Sequence, residues 1–343
     1  MVVLLLLLGE VVARVLLTSP SGQDFDADLG WVWRPGATIF NNSEGGAPIV
    51  INGAGLNDDE LEPKGKRFRI LGFGNSFMEA IQVPREENYT SIVERLVPGI
   101  DFVNLARSAM GPAHYPIVLE RFGSKLDPDL LIVSVGEGDV LSLLSSDVSV
   151  ERDAGGIQRI ALSLNDKDQL KGAFGPILDN SALATYLMRR LKPVILESVA
   201  EFKRVFGPAE AEARLMAPPD DKAGRFEAAD RLAFILRRMR AAGPVLVVYV
   251  PFLEYGPHRH AEAVAAWETE AYTLAAKRAG VPLLDCGPAL IDVYARTGQP
   301  PHGFPNKRVG VGHLNAAGHA AVAETIAGWL EEHVSVERRE VRP

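Results

Sequence analysis

The chain has 343 residues, 47% of them hydrophobic and 23% charged, and 36 Lys and Arg stand against 44 Asp and Glu, a formal net charge of −8. This composition excludes a disordered chain, a collagen repeat and a basic nucleic-acid binder. Cys286 is the only cysteine, which excludes a disulfide framework and any multi-cysteine metal or iron–sulfur site.

Residues 2–17 (VVLLLLLGEVVARVLL) are apolar except for Gly9, Glu10 and Arg14. The two charges stand four apart and can pair on one helix face. The run is slightly short of the roughly 20 residues that cross about 30 Å of hydrocarbon. No basic segment precedes it and no small-residue cleavage site follows, so a cleaved signal peptide fits poorly. Residues 1–17 are expected to form a membrane anchor whose start could lie upstream of Met1, with a short helix at the edge of the core as the alternative.

Residues 18–66 are rich in Gly, Pro, Asn and Asp, with Trp31 and Trp33 around a short extended stretch, and read as an arm lying on the main domain. From residue 67 to 335 the pattern is that of an α/β domain. Five apolar, β-branched runs predict strands: FRILGF (68–73), DFVNL (101–105), LLIVSV (130–135), VLVVYV (245–250) and VPLLD (281–285). Runs this continuous are covered on both faces, which implies a parallel sheet with helices on either side. Helical spacing places helices over 86–97, 114–125, 224–242, 258–279 and 315–331, the last after Asn315 as N-cap. Residues 140–223 interrupt this rhythm as an insertion, with a polar stretch around Gly155 and Gly156, a helix from Ser181 to Val205, and a loop holding Pro218 and Pro219. Residues 336–343 form a charged tail.

In open parallel sheets ligands bind where the strands end. The first strand runs into Gly72-Phe73-Gly74-Asn75-Ser76-Phe77, which places Ser76 at the start of the following helix, able to project its hydroxyl into the crevice or merely to cap. No Gly-Lys-Ser/Thr follows these glycines, so they form no P-loop, and they do not complete a dinucleotide fingerprint. Far downstream, Gly312-His313-Leu314-Asn315 puts His313 in the loop before the last helix. A serine after the first strand and a histidine before the last helix can meet over the sheet edge as nucleophile and general base. His319 reads as structural, and His302 carries no signal of its own. His258 and His260 lack a third ligand, so no metal site is expected. Arg189, Arg190, Lys192, Arg237, Arg238 and Arg240 read as solvated helix faces.

Four blocks, RFRILGFGNSFMEAIQVPREENYTSIVERL, VNLARSAMGPAHY, PDLLIVSVGEGDV and GHLNAAGHAAVAETI, resemble those of bacterial SGNH hydrolases, also called GDSL esterases. The LGWVWRPG and INGAGLNDDE segments are similar to the arm of membrane-anchored members. The resemblance implies a flavodoxin-like three-layer sandwich around a five-stranded parallel sheet, and ester hydrolysis by serine without a cofactor. Carried over position by position, it makes Ser76 the nucleophile and His313 the base, with Asn75 where aspartate is usual. The oxyanion-hole candidates are Ser76, Ala109, Gly111 and Gly138. Gly138 stands where the family carries an asparagine side chain. The orienting aspartate expected two or three residues before His313 is missing, since those positions are Val311 and Gly310. Glu137, Asp139 and Asp285, at strand ends, are the carboxylates available to replace it.

Two readings follow. One is a membrane-anchored esterase acting outside the cytoplasm, on the periplasmic side, on a small acyl ester such as a carbohydrate O-acetyl group. The other is a catalytically degraded SGNH-fold protein kept as an accessory subunit of a membrane protein complex. Neither involves nucleic acid.

Overall fold

A computed structural model describes residues 1–17, 22–40, 44–136, 138–163, 177, 180–187, 222–264 and 266–334. The five expected strands form one parallel sheet: β5 (Phe68–Phe73), β6 (Ile100–Asn104), β7 (Leu130–Gly136), β10 (Val245–Val250) and β13 (Leu283–Asp285). Their spatial order is β6-β5-β7-β10-β13. The first expected strand therefore lies inside the second, with the third, fourth and fifth following on its other side, which is the flavodoxin-like order. Side chains on all of β5, β6, β7 and β10 are buried or nearly so, as strands covered on both faces require.

Two cores account for that burial. Helices α4 (Tyr115–Leu126), α6 (Lys222–Arg240) and α7 (Ala266–Ala279) pack on one face, through Val118, Leu232, Leu236, Tyr272 and Ala275 among others. Helices α3 (Tyr89–Leu96), α8 (Gly287–Thr297) and α9 (Ala316–His333) close the other through Val93, Leu290, Val322 and Ile326. The short helices α2 (Ser76–Glu79) and α5 (Asp139–Ser142) follow β5 and β7 directly.

One expectation is corrected, and two elements are added. Residues 258–264 are not α-helical: a short 3-10 turn (Pro257–Arg259) links the strands of an antiparallel hairpin, β11 (Leu253–Tyr255) with β12 (Ala261–Ala263), and the α-helix begins only at Ala266. Helix α8 is one addition; it opens at Gly287-Pro288, where proline suits the first turn of a helix. The polar start of the insertion is a hairpin, β8 (Val148–Asp153) with β9 (Gly156–Leu162), which turns at Ala154 and Gly155. The remainder of the expected 181–205 helix beyond Leu187, and the 218–219 loop, lie outside the described residues.

The arm folds as two hairpins, β1 (Gln23–Asp26) with β2 (Gly30–Trp33) and β3 (Thr38–Phe40) with β4 (Pro48–Val50). It carries a small core of its own, Trp33, Ile39, Ala47, Ile49 and Ile51, which closes on Ile81 just past α2. That contact delivers the β3–β4 end of the arm to the neighbourhood of Ser76.

At the amino terminus, α1 (Val2–Val12) buries none of its side chains, and a π-helical turn extends it to Leu17. Val2 to Leu8, Val11, Val12, Val15 and Leu16 are all exposed. Glu10 and Arg14 do pair, at 2.7 Å, and Glu10 also accepts hydrogen bonds from Ser181 Oγ, Ala182 N and Leu183 N. Among the described residues no helix is long and apolar enough to cross a membrane.

Candidate active site

Ser76 opens α2. Asn75 is the N-cap, its side-chain oxygen accepting the Phe77 N–H at 2.9 Å, so the serine stands at the first helical position with its hydroxyl half-exposed. His313 sits two residues before Asn315, which caps α9 by accepting the Ala317 and Gly318 N–H groups. The loop carrying His313 is fixed from behind, because Gly303 N donates to the His313 carbonyl and Asn315 Nδ2 donates to Pro300 O. The two expected residues meet: His313 Nε2 lies 2.8 Å from Ser76 Oγ.

The other ring nitrogen carries the main surprise. His313 Nδ1 lies 3.0 Å from a carboxylate oxygen, Oε2, of Glu44, a residue of the arm. The contact is at ion-pair distance but off the ring N–H direction, and among the described residues no other group competes for that nitrogen. Glu44 Oε1 meanwhile accepts the backbone N–H of His313 at 2.8 Å, and Lys307 Nζ donates to Oε2 at 2.9 Å. Burial works against the charge on Glu44, but His313 and Lys307 outweigh it and bring its pKa down to about 2. The carboxylate is thus ionised at neutral pH and only 7% exposed. It holds the proton on Nδ1 and leaves Nε2 free to accept from the serine hydroxyl.

The missing orienting carboxylate is therefore supplied from the arm and not from the strand ends. Asp139 faces elsewhere, with Oδ2 accepting Gly136 N at 2.8 Å and Asn75 Nδ2 at 3.0 Å. Burial raises its pKa to about 7. Asp285 accepts Gly287 N, and Glu137 lies outside the described residues. Nothing in the spacing of Glu44 pointed to this role, since 269 residues separate it from His313. The signals lay in glycines. Gly312 has φ +105°, and a Cβ there would stand 2.1 Å from Glu44 Oε1. Gly45, at φ +77°, would clash with Gln82 O, and its backbone is clasped by both ends of the Asn306 amide.

The oxyanion candidates divide cleanly. Among the described residues neither the Ser76 nor the Ala109 N–H has a hydrogen-bond partner, so both remain available to a ligand. Ala109 adopts φ +65°, a left-handed conformation that glycine would take without cost. Gly111 and Gly138 are corrected. The Gly111 N–H donates to His114 Nδ1 at 3.1 Å, and that of Gly138 to Glu268 Oε1 at 2.9 Å. Gly138 has no side chain to offer, and the space its Cβ would enter is open.

An aromatic wall flanks the pair. The Phe77 ring lies 5.2 Å from that of His313 and 5.1 Å from that of Phe252, which stacks on His302. Burial, helped by the nearby His313, lowers His302 to about 4. It stays neutral, with Nδ1 at 2.5 Å from the Tyr255 hydroxyl. His319 is structural as expected, being buried, with Nδ1 accepting Tyr89 N. Among the described residues no group of His, Cys, Asp and Glu could hold a metal ion.

Solved structures similar to the chain include a member of the lipolytic G-D-S-L family and an acetyl xylan esterase. TesA is 13% identical, with 77% of this chain and 98% of that one covered and a TM-score of 0.40. A member of the lipolytic G-D-S-L family from Veillonella parvula DSM 2008 is 12% identical over 78% and 98%, with a TM-score of 0.40. An acetyl xylan esterase is 11% identical over 76% and 99%, with a TM-score of 0.42. No family model matches the chain, and no curated protein matches it. Identities this low decide neither activity nor substrate, which depend on the side chains of the site.

Proposed function

We propose that the chain is a serine ester hydrolase of the SGNH type in which Ser76 is the nucleophile, His313 the general base and Glu44 the orienting carboxylate. One observation carries this reading. The Ser76, His313 and Glu44 side chains stand in line, with a hydrogen-bond contact of 2.8 Å at one ring nitrogen and an ion-pair contact of 3.0 Å at the other. Such an arrangement has a specific chemical use.

Ser76 Oγ attacks the acyl carbonyl carbon as His313 Nε2 takes the hydroxyl proton. The imidazolium so formed is stabilised by Glu44, which keeps its charge. The carbonyl oxygen becomes an oxyanion, for which the free Ser76 and Ala109 N–H groups are the donors on offer. As the tetrahedral intermediate collapses, the alcohol leaves with the proton from His313 and an acyl-serine remains. Water then attacks that ester, its proton passing to His313, and the acid departs as Ser76 recovers its proton. The half-buried Phe77 and Phe252 rings give the reacting groups an apolar flank.

The reading of a degraded accessory protein loses ground with Glu44 in place. The absent base partner is compensated, and Ala109 keeps a glycine-like backbone. Only the asparagine replaced by Gly138 is a net loss, typically about 10² to 10³ in kcat for one oxyanion donor.

The proposed substrate is a short acyl ester, with carbohydrate O-acetyl groups as the class to test first. We further propose that residues 2–17 anchor the chain in a membrane with its main domain outside the cytoplasm. The unbroken exposure of the apolar side chains of α1 supports this. Hydrolysis of p-nitrophenyl acetate by the purified protein, abolished in Ser76→Ala, is the expected result. Turnover that survives this substitution, or none on a panel of short esters and acetylated sugars, contradicts it. Release from membranes by alkaline carbonate contradicts the anchor.

A further inference from the structure

We propose that Glu79 is a positioning residue for the oxyanion side of this site: its carboxylate holds the Arg107–Met110 turn so that the Ala109 N–H stays free, and ties that turn to the helix that carries Ser76. The inference rests on the serine-hydrolase reading and extends it to a residue that touches no substrate.

Glu79 lies three residues after Ser76 on α2 and is 1% exposed. One of its carboxylate oxygens, Oε2, accepts both the backbone N–H of Ser108, at 2.9 Å, and the Ser108 hydroxyl. The other, Oε1, accepts the Trp33 indole N–H from the arm at 2.5 Å. The charge of Arg107 faces it, with Asp26 of the arm and Arg121 of α4 beyond that guanidinium. The Glu79 backbone carbonyl accepts Asn57 Nδ2. One buried side chain thus joins the nucleophile's helix, the arm and the residue next to Ala109.

The turn needs such a grip. Met110 N donates to Arg107 O at 3.2 Å, closing a tight turn with Ala109 as its third residue at φ +65°. A turn of this kind calls for glycine at that position, and alanine holds the conformation only where the surroundings impose it. Ser108 is the second residue of the turn, and Glu79 engages both its backbone and its side chain. An apolar residue at position 79 would fill the same space without the cost of burying a carboxylate, but it would hold neither Ser108 nor Trp33.

The test uses the full chain and the variants Glu79→Gln and Trp33→Phe. An amide has one acceptor oxygen, so in Glu79→Gln its NH₂ must face either the Ser108 N–H or the indole N–H. Expected is a fall in kcat of at least about tenfold, with KM within about twofold, because the lost function belongs to the transition state. Trp33→Phe removes the competing indole donor, so in the double variant the amide can turn its oxygen to Ser108, restoring part of the kcat lost in Glu79→Gln. Amide exchange supplies a readout independent of turnover. In Glu79→Gln the Ser108 and Met110 amides should exchange at least about tenfold faster while the β5 and β7 amides do not change. Wild-type kcat with unchanged exchange at Ser108 overturns the proposal, and so does a loss that also speeds exchange in the sheet. If the wild type shows no Ser76-dependent turnover, the hydrolase reading fails and the exchange result alone decides whether Glu79 holds the turn.

Discussion

Glu44 and His313 lie at opposite ends of the chain, yet the Glu44 carboxylate meets both the His313 ring, at 3.0 Å from Nδ1, and the His313 backbone N–H, at 2.8 Å. The double contact fixes the ring's tautomer and its position together. On the proposed reading it also makes the arm part of the catalytic apparatus, because the base would be oriented only when the β3–β4 end of the arm is docked. Glu44→Gln keeps the shape but loses the charge that stabilises the imidazolium and favours the proton on Nδ1. A fall in kcat of about 10² to 10⁴ with KM little changed is expected in steady-state kinetics. A variant with wild-type kcat would remove Glu44 from the mechanism.

Gly312 reports on the same contact from the other side. A methyl group there would meet Glu44 Oε1 at 2.1 Å on a backbone at φ +105°. Gly312→Ala should therefore displace Glu44, lower kcat by a factor comparable to Glu44→Gln, and cost roughly 1–3 kcal/mol in denaturant melts. Unchanged activity and stability would mean that the arm does not approach this closely.

Ala109 gives a prediction of opposite sign. Glycine relieves the left-handed strain at φ +65°, so Ala109→Gly should keep activity and gain roughly 0.5–1 kcal/mol, the unfolded chain's extra freedom offsetting part of the relief. A loss of stability by urea titration would show that this turn is not strained.

Asn75 and Asp139 form a polar pair whose protonation matters. Burial lifts Asp139 to about 7, above its usual value, so between about pH 4 and 7 the folded state binds the extra proton and stability falls as pH rises. Asp139→Asn should flatten that slope in thermal melts. Asn75→Asp, which restores the family's usual residue, sets two carboxylates in contact and removes a donor. It should cost about 1–3 kcal/mol at pH 7 and less at pH 4. Equal losses at both pH values would contradict the pairing.

Glu44 itself contributes in the reverse direction. Its lowered pKa of about 2 adds stability that is fully present above about pH 4.5 and is lost as the pH falls toward 2. Replacing it by glutamine should reduce acid sensitivity over that window, measured as the midpoint of acid unfolding. An unmoved midpoint would mean that Glu44 is not held as an ion.

What was legible in the sequence followed from local physics. Buried parallel strands need continuous apolar runs, so Phe68–Phe73 and its four companions declared themselves, and a serine after the first strand with a histidine before the last helix fixed one edge of the site. Glu44 was not legible, because contact across 269 residues leaves no periodicity. The β11–β12 hairpin was hidden because Pro257 to Ala263 carries residues that suit a helix face as well as a short strand. The status of Gly111 and Gly138 depended on who takes their N–H groups, His114 and Glu268, and partners of that kind are decided only by the packed fold.

Whether Ser76 is an activated nucleophile is measured most directly by covalent trapping with a fluorophosphonate, located by peptide mass spectrometry. One adduct on Ser76 is predicted in the wild-type protein, slowed by about 10² or more in Glu44→Gln and absent in His313→Ala. A wild-type protein that stays unmodified, or labels equally fast without His313, would contradict the triad.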